Sequence, residues 1–191
     1  MAAIPTAAAP TMTLAFHDTP AAMPDADETD APVAVLAPRH YQERALAVFE
    51  DAELLLSAIL PDARVEHVGA SAIPGAYSKG DVDLCVAVPQ DGFHEALGVL
   101  GEAGFTIRAG TPRTEPSCLL DAPASDMPLA VRLVEAGSRH ESFTTFRDAL
   151  RADATLLARY NAIRIEAGPR GAAAYRSAKD EFIRGVLKTR G

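Results

Sequence analysis

The sequence predicts an α+β domain, with a small mixed β-sheet flanked by helices and a helical C-terminal segment. Three observations point to this class. Apolar residues recur every three to four positions before residue 60, short β-prone segments alternate with turns and one helix over residues 64–136, and helical periodicity returns after Gly137. With 191 residues and 48% apolar content, the chain is long enough for one ordinary hydrophobic core.

Residues 1–32 are predicted to be a disordered tail, and residues 33–191 a single domain. The tail holds ten alanines and five prolines without an apolar period, so it cannot bury enough surface to offset the entropy of ordering. It also contains five acidic residues and no lysine or arginine.

The first elements of the domain are a helix, a strand, a loop and a second strand. One apolar helical stripe covers residues 38–60 and is stopped by Pro61. A β-prone segment over residues 64–68 leads into the loop GASAIPG, and a second strand follows over residues 81–88.

The remaining elements continue the alternation and then become helical. A helix is predicted from Phe93 to about Gly104, followed by a short strand over residues 105–108 and extended segments over residues 117–120 and 129–136. After Gly137 three helical stripes are predicted, carried by Phe143, Phe146 and Leu150, then by Leu156, Leu157, Tyr160 and Ile163, and last by Tyr175, Ala178, Phe182, Val186 and Leu187.

Charge and composition favour a small ligand. All 18 basic residues lie beyond the tail, against 21 of the 26 acidic residues, and this near balance provides no basic field for a nucleic-acid partner. Cys85 and Cys118 lack the spacing of a zinc site and are predicted to be buried thiols. Because neither a secretory signal nor a membrane-spanning run is recognisable, we expect a cytoplasmic protein without a membrane partner.

Asp81 and Asp83 are the strongest candidates for chemistry. Side chains two residues apart in a strand project from the same face, so the two carboxylates lie side by side. Adjacent carboxylates repel one another unless a cation lies between them, and hard oxygen ligands without nearby His or Cys favour Mg²⁺ or Mn²⁺. The alternative is that this pair is only solvated surface.

The loop before these aspartates has the composition of a phosphate-binding loop. Gly69 and Gly75 allow sharp turns that expose backbone N–H groups, Ser71 adds a hydroxyl, and Lys79 adds a positive charge. A phosphate in this loop would lie beside a metal on the aspartates, as phosphoryl or nucleotidyl transfer requires. A plain turn before a strand is the alternative.

The stretch HVGASAIPGAYSKGDVDL (67–84) resembles the GrpB family, within the nucleotidyltransferase superfamily. The superfamily signature is an apolar residue, Gly, then Ser or Gly, a spacer, and Asp-apolar-Asp/Glu-apolar; here ten residues separate Ala70 from Asp81. The typical GrpB loop is His-Ile-Gly-Ser-Thr-Ser-Val-Pro-Gly followed by Lys. Similarity over residues 38–188 continues in LVEAGS (133–138), FRDALRAD (146–153), Tyr160 and YRSAKDEFI (175–183).

The resemblance implies the minimal nucleotidyltransferase fold, with Asp81 and Asp83 as metal ligands. The loop at Gly69, Ala70 and Ser71 would hold the triphosphate, with Lys79 as a cationic partner. The resemblance assigns neither a reaction nor a substrate.

Three departures from the family pattern bear on function. Alanines replace two loop serines at positions 70 and 72, so phosphate binding would depend on backbone N–H groups. Ala130 and Arg132 replace the His-x-His pair found in many members, and an arginine there suits an anion better than a metal. Glu135 is the candidate for the third carboxylate of active nucleotidyltransferases, and the alternative is a strand-end residue at the Gly137 turn.

Two other polar residues have a structural and a functional interpretation. His67 either orients the loop by hydrogen bonding or acts in acid–base chemistry. Arg147 has Asp148 beside it, which predicts a solvated charged helix face.

Two functions follow from these residues. In the first, the protein is a metal-dependent nucleotidyltransferase-like enzyme that acts on a nucleoside triphosphate and an acceptor the sequence does not identify. The catalytic residues would be Asp81, Asp83 and Glu135. The nucleotide would be held by Gly69, Ala70, Ser71, Lys79 and Arg132. In the second, the same fold is a non-catalytic nucleotide- or phosphate-binding module.

Overall fold

The computed structural model describes residues 31–109, 117–138 and 142–189. Five strands form one mixed sheet in the order β1-β2-β5-β4-β3. The strands are β1 (Arg64–Val68), β2 (Val82–Val88), β3 (Thr106–Ile107), β4 (Ser117–Asp121) and β5 (Leu129–Glu135). β2 and β5 run parallel at the centre, and the other neighbouring pairs run antiparallel. The predicted α+β class is confirmed.

Five α-helices accompany the sheet in the described part of the chain. They are α1 (Gln42–Ile59), α2 (Phe93–Glu102), α3 (Ser142–Ala152), α4 (Ala154–Ala167) and α5 (Ala172–Lys188). The predicted first helix starts at residue 38, whereas Pro38–His40 form a separate 3₁₀ turn before α1. Asp153 immediately precedes α4, and its side chain caps the helix by accepting a hydrogen bond from the Leu156 amide at 2.9 Å.

The two faces of the sheet are covered by different helices. α1 and α2 cover the face that carries Leu84, Val86, Val131 and Leu133, where Leu56 and Leu100 are fully buried. α3 covers the other face through Phe143, which packs on Val68, Cys85, Ala87 and Val134. The two cysteines are buried, as predicted, and they are not joined by a disulfide. Burial of both faces explains why β2 is almost continuously apolar after Asp83.

The three C-terminal helices form their own core beside the loop that follows β1. Phe146, Tyr160 and Phe182 meet with ring centroids 5.4 to 6.4 Å apart. Ile73 and Ala76 from the loop are fully buried in the same cluster. The loop is therefore packed between the end of the sheet and the helical segment, which places the predicted phosphate-binding residues against α3, α4 and α5.

The predicted disordered tail lies outside the described residues except at its end. Just beyond it, the Val33 amide donates a hydrogen bond to the Gly168 carbonyl at 2.8 Å, and Leu36 pairs with Ser78 through two backbone hydrogen bonds. None of the helices in the described ranges has the length and apolar character needed to cross a membrane.

Candidate functional site

The carboxylate pair lies where the chain enters β2. Asp81 immediately precedes the strand and Asp83 is its second residue, and both are partly exposed. One oxygen of Asp81 accepts a hydrogen bond from the Ser78 hydroxyl at 3.2 Å, and the other pairs with the Lys79 ammonium at 3.4 Å. An incoming phosphate would compete with Asp81 for this lysine.

Gly69 lies directly against the Asp83 carboxylate. Val68 is the register partner of Asp83 across β1 and β2, so the loop leaves β1 beside that side chain. Gly69 has a φ of +72°, and a Cβ added there would lie 3.1 Å from both Cβ and Cγ of Asp83 and closer still to Oδ2. A glycine is required here both by the backbone conformation and by the close approach of the carboxylate.

A small pocket joins the loop, the aspartates and the helical segment. Its volume is about 70 Å³. It is lined by Val68, Gly69, Ala70, Lys79, Asp81, Asp83, Arg108, Phe143, Phe146, Tyr160, Arg164, Tyr175, Lys179 and Ile183. A wider groove of about 520 Å³ shares four of these residues, Lys79, Asp81, Asp83 and Arg108, and continues over Asp121, Ala122, Pro128, Leu129 and Ala130. The two spaces therefore meet at the carboxylate pair.

Four cationic side chains line the pocket together with two carboxylates. They are Lys79, Arg108, Arg164 and Lys179. Arg108 also donates to Asp121 through Nε at 2.9 Å. Lys79 was predicted to belong to the site, whereas Arg108 and Arg164 were not, because their separation in sequence from the loop conceals their proximity to it. The excess of positive charge suits an anionic ligand.

Ser71 does not contribute its hydroxyl to the pocket. The side chain is buried, and its Oγ lies 3.0 Å from Nε2 of His67. The His67 ring stacks on Phe49 with centroids 4.6 Å apart. Burial, assisted by the charges of Arg151 and Arg147, lowers the pKa of His67 to about 4. This neutral, enclosed imidazole matches the loop-orienting alternative better than acid–base chemistry.

Two arginines of α3 hold the loop backbone. Arg147 is buried, contrary to the solvated face predicted for it, and donates to the His67 carbonyl and to Glu66 at 2.8 and 2.7 Å. Arg151 donates to the Ala72 carbonyl through two nitrogens, at 3.0 and 2.7 Å. The error arose because Asp148 is an adequate local partner for Arg147, and sequence alone does not show the β1 strand packed beside α3.

Glu135 is not near the aspartate pair. In the register of β2 and β5, Asp83 is opposite Ala130, and Glu135 is opposite Val88 at the far end of the strands. Five residues at about 3.3 Å each place Glu135 roughly 17 Å along the strand from Ala130. The odd spacing also directs its side chain to the other face of the sheet. The structure thus separates this predicted catalytic residue from Asp81 and Asp83.

Arg132 lies on the same face as Asp83 but does not line the pocket. Burial lowers its pKa, and the Asp83 carboxylate opposes this effect. Its Nη1 donates to the Ser117 hydroxyl at 3.4 Å, and its guanidinium lies 5.8 Å from the Phe143 ring centroid. Arg132, predicted as a nucleotide-binding residue, lies in the core, where the Asp83 charge stabilises its guanidinium.

A metal at this site would depend on the ligand for part of its coordination. The described residues contain no group of three His, Cys, Asp or Glu side chains arranged to hold an ion. Magnesium commonly uses one or two protein carboxylates and completes its octahedron with waters and substrate phosphates. Asp81 and Asp83 fit that role. The residue beside Asp83 on β5 is Ala130, whereas the third carboxylate was predicted on the same strand at Glu135.

Comparison with known proteins places the chain in a family. The fold and the pocket define an α+β domain with a carboxylate pair and a glycine loop at one end of a mixed sheet. The model of the GrpB protein family matches residues 37–189, and the chain belongs to this family.

One relative and two solved structures are similar to the chain. A UPF0157 protein of Vibrio cholerae is 37% identical over 147 residues, which cover 77% of this chain and 78% of that protein. The crystal structure of GrpB from Enterococcus faecalis is similar with a TM-score of 0.66 at 19% identity, over 82% of this chain and 99% of that one. A structure of the Cid1 poly(U) polymerase with Mg and 3′-dATP bound is similar with a TM-score of 0.43 at 16% identity, over 68% and 41%.

Proposed function

We propose that this protein binds a nucleotide through its phosphates, as the magnesium complex, at the pocket formed by Gly69, Lys79, Asp81 and Asp83. The observation that carries this proposal is that the small pocket and the wider groove meet at the carboxylate pair. The pocket of about 70 Å³ suits a phosphate group, and the groove of about 520 Å³ lies within the range of small-ligand sites and suits a nucleoside.

Each part of the pocket has a defined role in binding. The loop supplies backbone N–H groups at Gly69 and Ala70, and Lys79 exchanges its partner Asp81 for a ligand phosphate. Bound magnesium would neutralise the phosphate oxygens. Asp81 and Asp83 would hold it from the protein side, with ligand oxygens and waters in the remaining positions.

Binding without nucleotidyl transfer is the function the site favours. Two-metal transfer needs carboxylates that bridge both ions, and Ala130 leaves the neighbouring strand without one beside Asp83. Nucleotidyl transfer to an acceptor is the second candidate, and the close contact between Gly69 and Asp83 favours it because that contact puts phosphate and metal next to each other.

The binding test is calorimetry with ATP, GTP, CTP and UTP, each with and without Mg²⁺. The Asp81→Asn/Asp83→Asn double variant should lose at least about tenfold in affinity in Mg²⁺, which corresponds to about 1.4 kcal/mol. Asp126→Asn is the matched control, because it removes an exposed carboxylate outside both spaces. Equal binding by the double variant and the wild type, or no binding by either, would reject the proposal.

A separate assay distinguishes the two functions. The protein is incubated in a cell extract with a nucleotide labelled at the α-phosphate, and the label is followed in macromolecules and small products. A binding module releases the nucleotide unchanged. Label transfer that the Asp83→Asn variant abolishes would establish the second candidate in place of the first.

A further inference from the structure

Arg164 is a buried charge whose surroundings are mostly aromatic. Its side chain is 4% exposed, and its guanidinium lies 5.1 Å from the Tyr160 ring centroid and 5.3 Å from that of Tyr175. Nη1 donates to the Tyr160 hydroxyl at 2.8 Å, and Nε has no hydrogen-bond partner among the described residues. Asp81 supports the charge electrostatically without a direct ion pair to it in the described ranges.

Tyr175 presents a second unsatisfied donor beside this arginine. Tyr175 is 1% exposed, and its hydroxyl makes no hydrogen bond of good geometry within the part of the chain that the structure describes, although the Arg164 guanidinium lies close enough to interact with it. Burial raises the pKa of Tyr175 well above its ordinary value, and the Arg164 charge opposes this effect. The phenol is therefore neutral and able to donate. Buried groups left without partners are rare in native proteins, and two side by side call for a common explanation.

The two groups share one pocket with a third donor. Arg164 and Tyr175 line the small pocket, and Lys179 lines it one helical turn after Tyr175 on the same face of α5. The volume of about 70 Å³ is several times the roughly 10–15 Å³ of accessible cavity that holds one water molecule, so the pocket has room for several waters or for one small oxyanion.

We propose that Arg164, Tyr175 and Lys179 form the part of this pocket, on the side of α4 and α5, that binds one phosphate group. The guanidinium and the ammonium supply the positive charge, and the phenol donates one hydrogen bond that the described residues leave unused. This inference rests on the proposed function, since it assigns one end of the ligand. In a bound nucleotide, a terminal phosphate would lie against α4 and α5, Asp81 and Asp83 would hold a metal near the adjoining phosphate, and the nucleoside would extend into the wider groove.

The decisive variant is Tyr175→Phe, which removes the hydroxyl and keeps the ring that packs on Arg164. Binding of inorganic phosphate without metal, measured by calorimetry, should weaken by about fivefold to tenfold, as expected for one hydrogen bond to a charged group. Thermal stability should change little, because the hydroxyl makes no hydrogen bond of good geometry with the described residues. A subsite in which Tyr175 is only structural would show the reverse pattern.

Two control variants complete the experiment. Tyr160→Phe removes a hydroxyl that does accept a hydrogen bond from Arg164, so this variant should lose thermal stability. Arg159→Gln removes a cation from an exposed position of α4 outside the pocket, and its phosphate affinity should match the wild type. If Arg159→Gln loses as much phosphate affinity as Tyr175→Phe does, the loss reflects the general charge of the protein and not the pocket, and the subsite is overturned.

The Tyr175→Phe variant also distinguishes the phosphate of a nucleotide from free inorganic phosphate as the ligand of this subsite. Equal weakening of inorganic phosphate and of ATP with Mg²⁺ supports the subsite and assigns it to the terminal phosphate of a nucleotide. Weakening of inorganic phosphate alone supports it as a site for free phosphate. Unchanged affinity for both ligands, or no phosphate binding by the wild type, overturns it. The aspartate double variant tests the nucleotide proposal separately, so either proposal can fail alone.

Discussion

Replacement of Gly69 by alanine tests whether the contact between the loop and Asp83 organises the site. Gly69 has a φ of +72°, and alanine pays about 1–2 kcal/mol to adopt this left-handed conformation. The new Cβ would also lie 3.1 Å from Cβ and Cγ of Asp83, a separation tighter than ordinary packing. Because Asp83 belongs to a central strand, its carboxylate has to rotate while the backbone stays in place.

Gly75→Ala is the matched control for this substitution. Its φ of +82° imposes the same kind of backbone strain, but its Cβ would meet only Cδ2 of Leu157, at 3.5 Å, an ordinary contact. Both variants should therefore lose about 1–2 kcal/mol of unfolding free energy in urea titrations. Only Gly69→Ala should also weaken binding of ATP with Mg²⁺, by at least about tenfold.

Two outcomes would contradict a specific role of the contact between Gly69 and Asp83 in binding. If Gly69→Ala binds the magnesium–nucleotide complex as tightly as Gly75→Ala does, the position of the Asp83 carboxylate does not matter for binding. If both variants lose binding equally, the backbone of the whole loop is responsible, and the specific contact between Gly69 and Asp83 is not the cause.

Two further predictions concern stability. The pKa of His67 is about 4 in the folded protein against 6.5 ordinarily, so the unfolded chain binds more protons between these two pH values. The folded state is therefore fully stabilised by this difference above about pH 6.5, and its free energy of unfolding falls by about 2 kcal/mol from pH 7 to pH 5. Urea midpoints at both pH values should show this loss in the wild type relative to His67→Gln, and a difference between the two proteins that does not change with pH would contradict it. Removal of residues 1–32 should change the thermal midpoint by less than about 2 °C, and a much larger drop would mean that the tail packs on the domain.

The elements of the fold could be predicted from sequence because their signals are local. The apolar stripe before Pro61, the alternation in residues 64–68 and 82–88, and the return of helical periodicity after Gly137 correspond to helices and strands in the structure. The same holds for the carboxylate pair and the loop, which lie within 15 residues of one another, from Gly69 to Asp83. Their proximity required only that one strand turn back beside the next.

Strand register and helix packing were decided by the tertiary structure. Glu135 was a reasonable third carboxylate by sequence distance, yet the pairing of β2 with β5 puts Ala130 opposite Asp83. Arg164 comes from a C-terminal helix, more than 80 residues after Asp81, and nothing in its local pattern indicates a pocket. Periodicity tells which face of a helix is apolar, but the element it packs against is selected by long-range contacts. The sequence therefore determined the elements and half of the site, and the packing of α4 and α5 against the loop determined the rest.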